Sequence, residues 1–145
     1  MIVVTLIAII AAIAVPSYRE YLIRSQRSAA RAVLVEAAQY LERVHTFSGC
    51  YNFADTASCV AAAGSATVVP SALQRSPGEG RASYLVTWAL ASGSYTLTAI
   101  PCAAAGGSCP SGADTTFNDT TCGALTLTQT GARGASGSAA TCWQR

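Results

Sequence analysis

Six cysteines, Cys50, Cys59, Cys102, Cys109, Cys122 and Cys142, are the side chains of this sequence best suited to covalent chemistry. No two form a C-x-x-C pair, so the close spacing of thiolate metal sites is missing. An even number of cysteines, all downstream of an apolar N-terminal run, points instead to a disulfide framework in an oxidising compartment. Of the pairings open to them, the shortest loops select Cys50–Cys59, Cys102–Cys109 and Cys122–Cys142. The other reactive groups do not assemble. His45, the only histidine, falls near the end of a helical stretch and reads as a partly exposed helix residue. There is no acid pair, Ser/His/Asp order or glycine-rich phosphate loop, so no catalytic residue, no enzyme activity and no cofactor is expected. Asp114 and Asp119, with Asn118 between them, offer only a thin calcium set, and no metal site is expected. Asn118-Asp-Thr120 fits a glycosylation sequon, a pattern short enough to arise by chance.

The charges carry a second kind of chemistry. All nine basic residues are arginine. Between positions 17 and 47, Arg19, Arg24, Arg27, Arg31 and Arg43 stand against Glu20, Glu36 and Glu42, so that stretch carries 5 − 3 = +2. Beyond it, Arg75, Arg81, Arg133 and Arg145 stand against Asp55, Glu79, Asp114 and Asp119, which sums to 4 − 4 = 0. Those last four arginines are the candidate DNA contacts, provided that they converge on one face. A neutral head neutralises few phosphates, which puts DNA behind protein partners.

These groups must be positioned by a chain of 145 residues, one domain by length. Its first fifteen positions hold a single polar side chain, Thr5. As a helix they span about 22 Å, whereas a bilayer core is about 30 Å thick. A signal peptide cut near Ala12-Ile13-Ala14 lacks its basic flank. A buried core helix lacks an equally apolar sheath. A membrane helix that begins upstream of Met1 fits best. Topology agrees: Arg19, Arg24, Arg27 and Arg31 would hold their end in the cytoplasm, whereas the cysteines need the C-terminal part outside. A basic leader before Met1 would resolve the conflict.

From 17 to 47 the apolar and small residues Tyr18, Tyr21, Leu22, Ser25, Ala29, Val33, Ala37, Tyr40, Leu41, Val44 and Phe47 recur at steps of three and four, the stripe of an amphipathic helix. Pro16 should kink this helix without stopping it, since the pattern continues. A glycine-, serine- and alanine-rich loop follows, punctuated by Pro70 and Pro77. Residues 84–90 and 95–100 alternate around Ser92-Gly93 and predict a β-hairpin, with Tyr84, Val86, Trp88 and Leu90 on one face. Residues 124–128 make a third strand, Gly131 a turn, and a fourth strand takes in Thr141-Cys142-Trp143. Trp88 and Trp143 read as core aromatics. The class is α+β: a long N-terminal helix on a four-stranded antiparallel sheet.

The segment Met1-Ile-Val-Val-Thr-Leu-Ile-Ala-Ile-Ile-Ala-Ala-Ile-Ala-Val-Pro-Ser-Tyr18 resembles the N-terminal helix of type IV pilins. The tail Cys122-Gly-Ala-Leu-Thr-Leu-Thr-Gln-Thr-Gly131 with Cys142-Trp143 resembles minor pilins of the PilE type. The resemblance implies a division into 1–16, half of a membrane and filament-core helix, and 17–145, a head made of helix 17–47, αβ-loop 48–83 and sheet 84–145. It implies that Ile2, Val3, Val4, Leu6, Ile7, Ile9, Ile10, Ile13 and Val15 anchor the subunit in the inner membrane and then pack in the filament core, with Pro16 at the kink. Small residues there permit close helix packing. The implied function is a structural minor pilin, a single-pass membrane protein with a periplasmic head that is handed to the pilus assembly machinery. Its partners become other pilin subunits in a cell-surface filament. The leader cleavage and N-terminal methylation of such pilins act upstream of Met1. Two alternatives share the helix: a DNA-binding minor pilin for competence and a pseudopilin of type II secretion.

Overall fold

The structure, a computed structural model, describes residues 2–51, 69–91 and 93–144, and the side chains among them except those at positions 5 and 8–17. One helix, α1 (Ile2–Ser48), runs through position 16 without interruption. It ends where Gly49 adopts a left-handed φ of 77° and donates its N–H to the His45 carbonyl at 2.7 Å. Glycine takes that conformation without steric cost.

Only the second half of α1 is packed. Ala30, Val33, Leu34, Ala37 and Leu41 are buried, and no described side chain before Ala30 is. The expected stripe is thus turned by one position at Ala30 and Leu34. Phe47, expected on the stripe, is 88% exposed. At about 100° per residue it lies roughly 240° around the axis from Leu41, so it turns away from the sheet.

The sheet has five antiparallel strands in the order β1 (Arg75–Ser76), β2 (Tyr84–Leu90), β3 (Tyr95–Pro101), β4 (Leu125–Thr128) and β5 (Arg133–Ala135). Alternation sends Tyr84 and Val86, then Tyr95, Leu97 and Ala99, then Leu125 and Leu127 into one core with α1. Trp88, Leu90 and Trp143 pack against its margin, half-buried. Two expectations need correction. The sheet gains β1 from the region taken as αβ-loop, because Arg75 and Ser76 pair with Leu85 and Tyr84. Thr141-Cys142-Trp143 is not a strand but part of a short helix, α2 (Ala139–Trp143). The edge beyond β4 is already taken by β5, so the tail folds back instead. There the Trp143 indole N–H donates to the Gly134 carbonyl at 2.8 Å, and Cys142 bonds to Cys122.

Candidate functional site

The first half of α1 leaves the head as an apolar arm. Ile2, Val3, Val4, Leu6 and Ile7 are all more than half exposed. The side chains of Ile9, Ile10, Ile13, Val15 and Pro16 lie outside the described set. Among the described residues no helix is long and apolar enough to cross a membrane.

Where the arm meets the head, one contact fixes it. Arg27 grips Asp119 with two parallel N–H donors, Nε to Oδ2 at 2.7 Å and Nη2 to Oδ1 at 2.8 Å. The Tyr84 hydroxyl donates to Oδ2 at 2.8 Å and the Cys122 N–H to Oδ1 at 3.0 Å. Asp119 has no exposed side-chain surface and Arg27 only 12%. Burial alone would push the Asp119 carboxyl up; the donors from Arg27, Cys122 and Tyr84 outweigh it and hold the group below the ordinary carboxylate value. Burial, then the hydrogen bond to this carboxylate, pushes the Tyr84 phenol well above its usual value. The fork is a bidentate, charge-assisted pair. It ties α1 to the turn that leads into the Cys122–Cys142 loop and to the first residue of β2.

Beside this tie lies a groove of about 870 Å³. Arg24, Arg27 and Arg31 line it from α1; Thr121, Thr141 and Gln144 line it from the head. Arg31 donates to the Gln144 carbonyl, and its own pKa is lowered by burial and then by the like charges of Arg27 and Arg133. Arg24 pairs with Glu20 at 3.1 Å on an open surface. Sequence reasoning passed over this cluster. Its signal was the spacing 24, 27, 31, three and four residues apart on one helix face.

The described head arginines, Arg75, Arg81 and Arg133, do not come together. Arg75 is on β1 and Arg133 on β5, the two opposite edges of the sheet. Arg75 donates to the Gly78 carbonyl, Arg133 lies over the Trp143 ring at 5.2 Å, and Arg81 stands 3.7 Å from Asp114. Arg145 is outside the described residues. Asp114 is engaged by Thr116, whose hydroxyl and N–H lower its pKa, with Arg81 adding to the effect. Asp114 and Asp119 therefore face different partners, and among the described residues no group of acids, cysteines or histidine could hold a metal.

At the other end of α1, the hydroxyls of Tyr51 and Tyr95 donate to Glu42 Oε1 at 3.0 and 3.2 Å, and His45 stacks on Tyr51 at 4.4 Å. This set, whose two tyrosines are buried, pins the helix end to β3. Disulfides join Cys102 to Cys109 and Cys122 to Cys142. Cys50 is buried, while Cys59, its expected partner, is outside the described residues. The first bond closes a loop over a small second core of Ala82, Cys102 and Ala113. The second fastens α2 to the turn ahead of β4.

Comparison with known proteins gives three results. Residues 16–126 match the family described as type IV minor pilin ComP, DNA uptake sequence receptor. No curated protein sequence matches the chain. Among solved structures, the non-core minor pilin PilV of Neisseria meningitidis is similar with a TM-score of 0.50 and 22% identity, covering 81% of this chain and 90% of that one. A type IV pilin from Shewanella oneidensis gives a TM-score of 0.46 and 20% identity, covering 85% of this chain and 99% of that one.

Proposed function

The chain belongs to the family of the type IV minor pilin ComP, and from that premise we propose how it works as a minor pilin subunit of a type IV pilus. Residues 1–16 are the segment that lies in the inner membrane before assembly and in the filament core afterwards; residues 17–145 are the head. The observation that carries this reading is the division of α1. Its second half is buried on the sheet, while Ile2, Val3, Val4, Leu6 and Ile7 project with no cover from the head. An apolar helix of this kind is stable in lipid or among similar helices. Ile9, Ile10, Ile13 and Val15 would extend the same surface, and Pro16 would let it bend as it moves from one surrounding to the other. Before assembly the head would face the periplasm; afterwards the subunit would be exposed on the cell surface. No catalytic role is proposed. The test is to probe sheared surface filaments for the chain and for an Ile7→Lys variant. The native chain should copurify with filaments and the variant should stay behind with its head folded. Absence of the native chain from filaments would sink the proposal.

A second reading is DNA binding, favoured by the family description, which names a DNA uptake sequence receptor. Arg75, Arg81, Arg133 and Arg145 are the proposed contacts. Because Arg75 and Arg133 sit on opposite sheet edges, at least four strand spacings or about 19 Å apart, and the register sets Arg75 beside Leu85 on the outer face and Arg133 beside Leu127 on the core face, a duplex would have to wrap around a sheet edge to meet both. A salt-dependent gel shift tests it, since phosphate neutralisation must weaken with salt. No shift at micromolar DNA removes this reading and leaves the pilin function standing.

A further inference from the structure

We propose that the groove beside α1 seats the phosphate headgroups of anionic phospholipids while the apolar arm lies in a bilayer. The inference rests on the membrane-anchored stage proposed above. It explains a charge pattern which that stage leaves over: arginines crowd the end of the apolar run that faces away from the cytoplasm, against the usual bias.

The order of side chains along α1 carries the argument. After the apolar arm come Tyr18, Tyr21 and Leu22, exposed by 62%, 69% and 40%. Exposed tyrosines next to an apolar helix settle at the level of the headgroups, which places the membrane boundary at this turn. The helical rise then sets Arg24 about 4–9 Å beyond the boundary and Arg31 about 15–20 Å beyond it. Helical Cα–Cβ bonds lean toward the N-terminus, so both guanidiniums reach back toward the bilayer. The headgroup layer is roughly 5–8 Å deep on each side. Arg24 lies within it, and Arg31 stands outside it but close enough to feel the charge of the anionic surface, which fades over about a Debye length.

The charges are also available. Arg27 is matched by Asp119. Arg24 has Glu20, but that pair is about 70% exposed on both sides, with side-chain values of 72% and 71%, and holds Arg24 weakly. Arg31 donates to a neutral carbonyl, and among the described residues the like charges of Arg27 and Arg133 act on it. The groove therefore presents two guanidiniums that a phosphate diester can neutralise, with the Thr121 and Thr141 hydroxyls on its opposite wall.

The test is flotation of the full chain with vesicles of phosphatidylcholine alone and of phosphatidylcholine with phosphatidylglycerol. Native protein should partition more strongly into the anionic vesicles. Arg24→Gln/Arg31→Gln should lose that gain, roughly fivefold per arginine and so roughly 25-fold together, whereas Arg75→Gln/Arg81→Gln, which removes the same charge from the head, should keep it. Arg24→Gln alone, at an open surface position, should fold normally and lose roughly fivefold. An unchanged gain in the groove variants, or an equal loss in the control pair, overturns the proposal while anchoring stands. Failure to float even with neutral vesicles overturns anchoring and the groove together. If the groove variants lose binding of a double-stranded oligonucleotide but keep the anionic gain, the groove is a nucleic-acid site and the lipid assignment is wrong.

Discussion

Replacing Asp119 by Asn should cost the fold about 3 kcal/mol, and the estimate follows from four hydrogen bonds. The carboxylate accepts two from Arg27, one from Tyr84 and one from the Cys122 N–H. An amide keeps the shape but turns a donor toward groups that are donors themselves. Arg27, 12% exposed, is left with a charge that neither the protein nor water matches well. Breaking a buried pair on one side costs about 3–5 kcal/mol; partial escape of Arg27 to solvent favours the lower end. For a head spanning residues 17–145, at about 2.1 cal/mol/K of unfolding entropy per residue, that lowers Tm by roughly 11 °C. Thermal unfolding of the full chain, followed by circular dichroism, reads this directly. Arg27→Met/Asp119→Leu should cost less than Asp119→Asn alone, because it removes both charges and leaves Tyr84 and one N–H as the main losers. If Asp119→Asn costs below about 1 kcal/mol, or the double variant costs the sum of its parts, the tie between α1 and the head is not what holds them together.

The same carboxylate sets a pH dependence. Because its folded pKa lies below the unfolded value of about 3.9, its contribution is complete above that pH and is lost as pH falls through the folded pKa; acid unfolding should be less steep in Arg27→Met/Asp119→Leu. Removing the Cys122–Cys142 bond, with its sequence separation of 20, should cost about 3 kcal/mol, and removing Cys102–Cys109, with a separation of 7, about 2.5, an ordering that denaturant titration of the two Ser pairs can check. Gly137→Ala should cost about 1–3 kcal/mol by the same titration, since a methyl group there would run into the Thr121 carbonyl. Leu34→Ala, in the fully buried part of α1, should cost about 2–5 kcal/mol, whereas Phe47→Ala, 88% exposed, should change Tm hardly at all.

Long periodic segments were legible in the sequence, and short ones were not. The helix could be read because its apolar spacing persists over many turns, and β2 and β3 because seven residues each alternate around a glycine turn. β1 is two residues long and β5 is Arg-Gly-Ala, too short and too small to alternate. Thr141, Cys142 and Trp143 favour strands by propensity, but the bond to Cys122 and the Trp143 contact with Gly134 decide their path, and both depend on tertiary position. The arginines show the same division. Spacing places 24, 27 and 31 on one face, but nothing local reveals that Asp119, 92 residues on, meets that face.

The distance in sequence between Arg27 and Asp119 also orders events in time. Synthesis proceeds at about 5–20 residues per second, so the helix is made roughly 5–18 seconds before the carboxylate that receives its arginine. The strand residue Tyr84 arrives between them, and its carboxylate partner is the last to be made. Until then α1 has its apolar residues 30–41 without a sheet and its arginine without a counter-charge. A nascent subunit is therefore least protected as a growing chain.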